Sequence, residues 1–311
     1  MGRRVTLTVV KPGMLTTVQD LGRRGYQSLG VPVSGPMDAY SHRLANGVLG
    51  NDPMAAALEI TLLGPELLAD GDLVCAVAGA EIEVSVGDVR VGANVPFAVP
   101  SGSRIRCGGR RRGARMTLAV RGGFDLPATL GSRATHLVSH MGPFGGRALR
   151  AGDVLPVGAP LPASPPSRPS PLALPEGGAR VRVLPAVHRE RFTDAAWAAL
   201  TGTRYTVTPQ SNRMGYRLEG APLAHTGSAE ILSEAMPVGV IQVPPSGQPI
   251  LLLAECATTG GYATIANVIT ADLPIAGQLA PGDWIEFAAC TREDAWSALR
   301  LREGALAGRA S

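Results

Sequence analysis

The sequence predicts a mainly β protein with a few helices, arranged as two β subdomains joined by a proline-rich linker. Three observations carry that prediction. Short strand-like runs follow one another closely: Leu58–Leu62, Leu73–Val77, Glu81–Val86, Val95–Val99, Arg104–Cys107 and Met116–Val120. Gly-Asp, Gly-Ala and Pro-Ser-Gly turns separate them, as in an antiparallel barrel or sandwich. The 39 glycines and 26 prolines among 311 residues supply the turns that such strands need. Finally, Ala159–Gly178 carries seven prolines between Pro160 and Pro175, the composition of an extended, stiff connection. It separates an N-terminal subdomain, residues 1–158, from a C-terminal subdomain, residues 179–311.

Taken in order, Val5–Val10 alternates like a strand, and Gly13–Gly35 reads as a long structured loop with short strands. Pro36 opens a helix with Met37, Tyr40, Leu44 and Val48 at helical spacing, and Gly50 ends it. Asp153–Val157 is a further strand. In the second half Arg180–Leu184 is a strand, and Thr193 caps a helix with Trp197 and Leu200 on its apolar face. Tyr205–Thr208, Val240–Val243, Ile250–Ala254 and Trp284–Ala288 read as strands. Thr291 caps a last helix with Glu293 and Asp294 in its first turn, which suits the helix dipole. The tail beyond Gly304 reads as frayed. Thr258-Thr259-Gly260-Gly261-Tyr262 follows a strand; its glycines either bring backbone N–H groups close to a ligand or shape a barrel corner. Met116–Phe124 with Arg150–Val154 weakly echoes Leu252–Tyr262 with Ala280–Trp284, which leaves two related units and a chance match of turns both open.

Composition narrows the function. Hydrophobic residues are 45% and charged residues 17%, a core-forming balance. No run of about 18 apolar residues predicts a membrane-spanning helix. Met1-Gly2-Arg3-Arg4 lacks a following apolar segment of the secretory kind. The four cysteines, Cys75, Cys107, Cys256 and Cys290, are scattered without a C-x-x-C pair, so buried reduced thiols in a cytoplasmic protein are expected, and no metal site. His136 and His140 stand four apart, but glycine-rich surroundings without a carboxylate disfavour a metal pair. The net charge of +4 owes much to Arg104, Arg106, Arg110, Arg111, Arg112 and Arg115. They read as a solvated hairpin tip or a contact to an acidic partner, and the lack of stacking aromatics argues against nucleic acid. Lys11, the only lysine, precedes Pro12. A P-loop, a Schiff-base lysine and a biotin attachment site are thereby excluded. Neither G-x-S-x-G nor G-x-G-x-x-G occurs.

Polar residues gathered in glycine-rich loops point to a ligand site. Thr16, Thr17, Gln19, Asp20, Arg23 and Tyr26 share one loop region; Ser34 and Asp38 flank a helix start; Asn46, Asn51 and Glu59 follow. In the second half come Asn212 and Arg213, then Gln242, then Thr258, Thr259, Gly260 and Tyr262. Such sets bind a small amide or carboxylate through paired hydrogen bonds. Each side chain taken singly also suits a cap or turn.

At these loops the chain resembles the biotin-dependent carboxyltransferase-like family that includes allophanate hydrolase subunit 2, KipA and the C-type subunit of 5-oxoprolinase. The matching stretches are Thr16–Arg23, Gly30–Asp38, Ala45-Asn46 with Gly50-Asn51, Leu58-Glu59 with Gly64-Pro65 and Gly122-Gly123. Leu130–Thr135, Gly146–Leu149, Ser211–Gly215, Ile241–Pro244 and Thr258–Tyr262 complete them, in order along the chain. The resemblance implies cyclophilin-like β-barrel units and a tight complex with a KipI-like protein, the B-type subunit of 5-oxoprolinase. A LamB/YcsF-like protein, the A-type subunit, joins them to open the lactam of 5-oxoproline to glutamate at the expense of ATP. Two alternatives come with it: a carboxyltransferase component acting on urea with biotin on a separate carrier, and a non-catalytic regulator that binds the KipI-like partner. Polarising a small amide carbonyl needs fixed donors in a dry site. Asp20, Asp38 and Arg213 are the catalytic candidates; Gln19, Arg23, Ser34, Asn46, Glu59, Asn212, Gln242, Thr258, Thr259, Gly260 and Tyr262 are the substrate-binding candidates. The chain departs from the family pattern at Glu255, Ala257 and Ala263, where Asp, Gln and Pro are usual.

Overall fold

The computed structural model describes residues 4–159 and 170–308. Met1-Gly2-Arg3 and the middle of the proline-rich linker lie outside the described residues. Contacts divide the chain into two compact units. The first comprises the chain up to Arg23, Ser34–Leu174 and the residues from Glu303 on; the second comprises Arg24–Val33 and Pro175–Arg302.

Unit 1 is a curled antiparallel sheet with one covering helix. Its elements are β1 (Thr6–Lys11), β2 (Leu15–Gln19), α1 (Ala39–Val48), β3 (Ala57–Thr61), β4 (Glu66–Ala69), β5 (Leu73–Val86), β6 (Val89–Arg90), β7 (Phe97–Val99) and β8 (Arg104–Val120). A single turn, α2 (Pro143–Gly146), and β9 (Val154–Pro156) complete it. The strand order is β2-β3-β8-β4-β1-β9, and β5 pairs with β6, β7 and β8. Leu7, Leu58, Ile60, Leu67, Ile105 and Leu118 are fully buried in its core. α1 packs on β5 and β8. Its apolar stripe Tyr40, Leu44 and Val48 is buried, as the spacing predicts, and Asp38 rather than Pro36 stands at its N-cap.

The long strands correct three sequence expectations. Leu73–Val77 and Glu81–Val86 are one strand, β5, and Arg104–Cys107 and Met116–Val120 are one strand, β8. The arginine cluster is therefore no hairpin tip; it runs along β8 from its first residue, Arg104, to Arg115. Gly108, Gly109 and Gly113, which read as a turn, sit where the β5–β8 register shifts three times between Gly79 and Val84. Bulges absorb the extra residues without ending the ladder. The arginines meet acidic neighbours across the sheet: Arg104 Nη1 is 2.5 Å from Glu66 Oε1, Arg111 pairs with Glu83 and Arg112 with Glu81.

Unit 2 is a closed seven-stranded barrel, order β10-β17-β14-β15-β12-β11-β18. Its strands are β10 (Gly178–Pro185), β11 (Arg204–Val207), β12 (Gly215–Glu219), β14 (Val240–Gln242), β15 (Ile250–Leu252), β17 (Thr264–Val268) and β18 (Trp284–Ala289). The helices are α3 (Asp194–Gly202), α4 (Leu273–Gly277) and α5 (Arg292–Leu306). Parallel pairing of β10 with β18 closes the barrel and sets Gly178 opposite Trp284. A Cβ at Gly178 would lie 2.2 Å from the Trp284 ring, so glycine is required there. Val181, Tyr205, Ile241, Leu251, Ile265 and Phe287 fill the interior. Thr193 Oγ1 accepts from Ala196 N, and Thr291 and Asp294 cap α5 reciprocally. α5 runs to Leu306, two residues past the expected fray point.

The Thr258–Tyr262 stretch is neither loop nor barrel corner. It forms β16 (Thr259–Tyr262), paired with β13 (Glu230–Ala235) in a two-stranded sheet outside the barrel. The weak internal repeat has a structural counterpart in the closing turns. Asp153 Oδ2 accepts from Arg150 N at 2.7 Å, and Asp153 N donates to Arg150 O at 3.1 Å. Asp283 Oδ2 accepts from Ala280 N at 2.8 Å, and Asp283 N donates to Ala280 O at 3.0 Å. Gly152 and Gly282 both adopt positive φ, 89° and 91°. Each turn then exchanges the same two backbone bonds with a strand of its own unit, Val9 in one and Val207 in the other.

Asp153 also forms a bidentate pair with Arg147, at 2.7 and 2.8 Å. The Arg147 hydrogen bonds hold its carboxyl below the ordinary aspartate value of 3.8. A depressed native pKa gives stability that is full above the unfolded value and is lost as pH falls through the native one. Asp153→Asn is expected to cost about 1–3 kcal/mol at neutral pH and to remove the wild type's additional loss below pH 3.8. Urea midpoints measured between pH 7 and pH 3 check both statements.

Candidate functional site

The densest set of buried polar side chains lies in unit 1, where the end of β2 meets residues 129–135. Asp20 ties the two together. Its Oδ1 accepts from Gly22 N at 2.9 Å and from Ser132 Oγ at 2.6 Å, and its Oδ2 from Arg133 N at 2.6 Å. The loop so fixed offers carbonyls to three neighbours. Gln19 Nε2 donates to Thr135 O at 3.1 Å, Ser34 Oγ donates to the same oxygen at 2.6 Å, and Arg23 Nη2 donates to Ala134 O at 2.5 Å. Gln19, Asp20, Arg23 and Thr135 are each at most 3% exposed and Ser34 7%. Burial pulls the Arg23 guanidinium below the ordinary arginine value, and the charge of Asp20 works against that pull. Three atoms of this group have no hydrogen-bond partner: Gln19 Oε1, Arg23 Nη1 and Thr135 Oγ1.

The remaining unit 1 candidates stand close by in other roles. Asp38 caps α1, its Oδ1 accepting from Ser41 N and its Oδ2 from Ser41 Oγ. Glu59, on β3, accepts from Met37 N at 2.6 Å just ahead of that cap. Asn46 bridges within and beyond α1, donating to His42 O and Ala55 O and accepting from Asn51 Nδ2. Asn51 passes the link on to Val120 O and Gly122 N. These four side chains brace the backbone around α1, as caps and turns require. His42, also buried, has its pKa pushed down to about 4 by burial, with Asp20 and backbone hydrogen bonds opposing.

In unit 2, Arg213 and Glu255 form a buried ion pair, Nε to Oε1 at 2.7 Å, with 3% and 1% side-chain exposure. Glu255 N also donates to Arg213 O. Glu255 thus reaches the Arg213 guanidinium directly. Gln242 Nε2 faces Met236 Sδ at 3.4 Å. A Cβ on Gly260 would lie 2.5 Å from Gln242 Nε2 and 3.0 Å from Met236 Cγ. Gly260 therefore serves close packing of β16 on Gln242. Asn212 is exposed and closes an Asx turn, accepting from Met214 N. Thr258 O accepts from Met236 N, while Thr259, Gly260 and Tyr262 pair with β13. Among the described residues no group of three or more His, Cys, Asp or Glu is placed to hold a metal. His136 Nδ1 instead accepts from Ser139 N, and His140 adopts positive φ, so no helix face joins the two histidines.

Gln19, Asp20, Arg23 and Ser34 are thus brought together, whereas Asn212 stands apart in an exposed turn. Thr135, Ser132 and His42 were not among the sequence candidates. The signal for the first two is Leu130–Thr135, one of the stretches that carry the family resemblance. His42, buried on α1, carries no local motif.

Comparison with known proteins gives a consistent picture. The profile of the carboxyltransferase domain, subdomain A and B, matches residues 29–289. The chain is 39% identical to the C-type subunit of 5-oxoprolinase from Escherichia coli (strain K12) over 294 residues, 94% of both chains. It is 36% identical to the same subunit of the Haemophilus influenzae 5-oxoprolinase, over 92% of both. The structure of the Kluyveromyces lactis urea carboxylase superposes with a TM-score of 0.94 at 32% identity, covering 100% of this chain and 30% of that one.

Two consequences can be measured. The unfolded His42 imidazole binds a proton near pH 6.5, but the native one only near pH 4. Stability is full above pH 6.5 and falls as pH drops toward 4, by up to about 3 kcal/mol. His42→Gln is expected to flatten that fall in denaturation curves at pH 7, 6 and 5. Arg213→Ala leaves Glu255 buried without its partner and is expected to cost about 3–5 kcal/mol. Thermal unfolding reads that cost, and the double variant Arg213→Met/Glu255→Leu should recover much of it.

Proposed function

The chain belongs to the carboxyltransferase-domain family of subdomains A and B, and from that premise we propose that it is the larger, C-type subunit of an ATP-dependent 5-oxoprolinase. In this reading it opens the lactam of 5-oxoproline to glutamate together with two partners, the KipI-like (B-type) protein and the LamB/YcsF-like (A-type) protein. The single observation that carries the proposal is length: the likeness to the Escherichia coli 5-oxoprolinase subunit runs over 94% of both chains. The urea carboxylase that it also resembles is more than three times as long, and only 30% of it is covered.

The chemistry asked of the site is polarisation of a ring amide carbonyl while water adds and the C–N bond breaks. Negative charge that builds on the carbonyl oxygen is stabilised best by fixed donors in a water-poor pocket. Arg23 in unit 1 is a buried guanidinium of that kind. The chain's own residues do not suit a self-contained ATP site. Its one lysine, Lys11, is exposed and paired with Glu66 at 3.2 Å. ATP handling therefore falls to the partner subunits or to surfaces shared with them.

A second reading is a carboxyltransferase component acting on urea or a related amide, favoured by the superposition over the whole chain. It requires biotin on a separate carrier, since Lys11 lies in Val-Lys-Pro, not in a biotinylation sequence. Reconstitution separates the two. Assembled with both partner subunits, the chain is expected to support 5-oxoproline-dependent ATP hydrolysis and glutamate release, and to show neither alone. A properly assembled complex without turnover overturns the first reading. Urea-dependent carboxyl transfer from a biotinylated carrier would establish the second.

A further inference from the structure

One face of the unit 1 sheet carries more positive than negative charge. The strand registers set Lys11, Glu66, Arg106, Ser85 and Arg90 side by side across β1, β4, β8, β5 and β6. At about 4.8 Å per strand that row spans roughly 19 Å. Lys11, Arg104 and Arg106 all close on Glu66, at 3.2, 2.5 and 3.8 Å. Arg90 and Arg111 share Glu83, at 2.9 and 3.4 Å, and Arg112 meets Glu81. Six cations thus divide three carboxylates, and Asp88 in the turn between β5 and β6 adds a fourth at the margin. Each of the six cationic side chains is at least 44% exposed. Ion pairs so exposed hold their members weakly, which leaves the cations open to exchange. The same face opens into a groove of about 580 Å³. Arg90, Arg111 and Arg112 stand in its lining, and Val91, Ala93 and Leu174 give it accessible apolar walls.

We propose that this face docks an extended acidic segment of a partner protein, with carboxylates at alternate residues on the arginines and an aliphatic side chain in the groove. Charge decides the sign, because the cations outnumber the carboxylates. Spacing decides the form: Arg104 and Arg106 stand two residues apart on one strand, roughly 7 Å, the distance between alternate side chains of an extended peptide. Composition decides against nucleic acid. None of β1, β4, β5, β6 and β8 carries an aromatic residue on which a base could stack, and the carboxylates on the face repel phosphate. The docking does not depend on which reaction the chain serves.

Fluorescence anisotropy tests it, with the full chain and a short labelled peptide that has Glu at alternate positions and Leu at one end. Binding is expected, and it should weaken as salt screens the exposed charges. Arg90→Gln/Arg111→Gln is expected to weaken it about fivefold to tenfold, the worth of two surface ion pairs. Glu83→Gln, which frees both arginines, should tighten it about twofold or more. A peptide with Ser in place of Leu should bind about threefold or more weakly, since nothing apolar then enters the groove. Arg180→Gln/Arg300→Gln makes the same change in net charge at exposed positions elsewhere and should leave the affinity unchanged. All these variants alter exposed side chains and keep their stems, so an unchanged circular dichroism spectrum is expected. The proposal is overturned by no binding to the wild-type chain, by an equal loss in Arg180→Gln/Arg300→Gln or by no gain in Glu83→Gln. Equal binding of the Ser peptide, or of an oligothymidylate of matched charge, overturns it too.

Discussion

The Asp20 carboxylate is the contact on which the polar interior of unit 1 depends. By accepting from Gly22 N, Ser132 Oγ and Arg133 N, it holds residues 132–135 against the end of β2. Only a loop held in that place can offer Thr135 O to Gln19 and Ser34, and Ala134 O to Arg23. A carboxylate that receives several hydrogen bonds is well suited to such a task.

The two units use their buried polar groups differently. Unit 2 closes its pair within itself: Arg213 and Glu255 neutralise each other, and Gln242 is packed under Gly260. In unit 1, Gln19 Oε1, Arg23 Nη1 and Thr135 Oγ1 have no hydrogen-bond partner, and Gln19 and Arg23 bond the carbonyls of Thr135 and Ala134. A buried ion pair that satisfies itself rigidifies a site.

Beneath this difference the units share a construction. Both contain a Gly-Asp turn in which the aspartate carboxylate accepts from the backbone three residues earlier, and both lay that turn against a strand of their own unit. The faint echo between Arg150–Val154 and Ala280–Trp284 is thus an echo of hydrogen bonding, not only of turn composition.

The sequence by itself determined the mainly β class, the stripe of α1, the caps at Thr193 and Thr291, and the family. All of these follow from local periodicity, capping chemistry or motifs read in order. It also brought forward Gln19, Arg23 and Ser34, because polar residues in glycine-rich loops are conspicuous. It misread the middle of β8 as a turn and β16 as a loop or corner, since glycine looks alike in a turn, a bulge and a strand that another side chain approaches closely. That Asp38 caps a helix, that Arg213 pairs with Glu255, and that Thr135 stands beside Gln19, 116 residues distant, are visible only in the tertiary structure. Hydrogen-bond partners far apart in sequence exist only once the chain has closed on itself, and no local pattern encodes which donor will find its acceptor already taken.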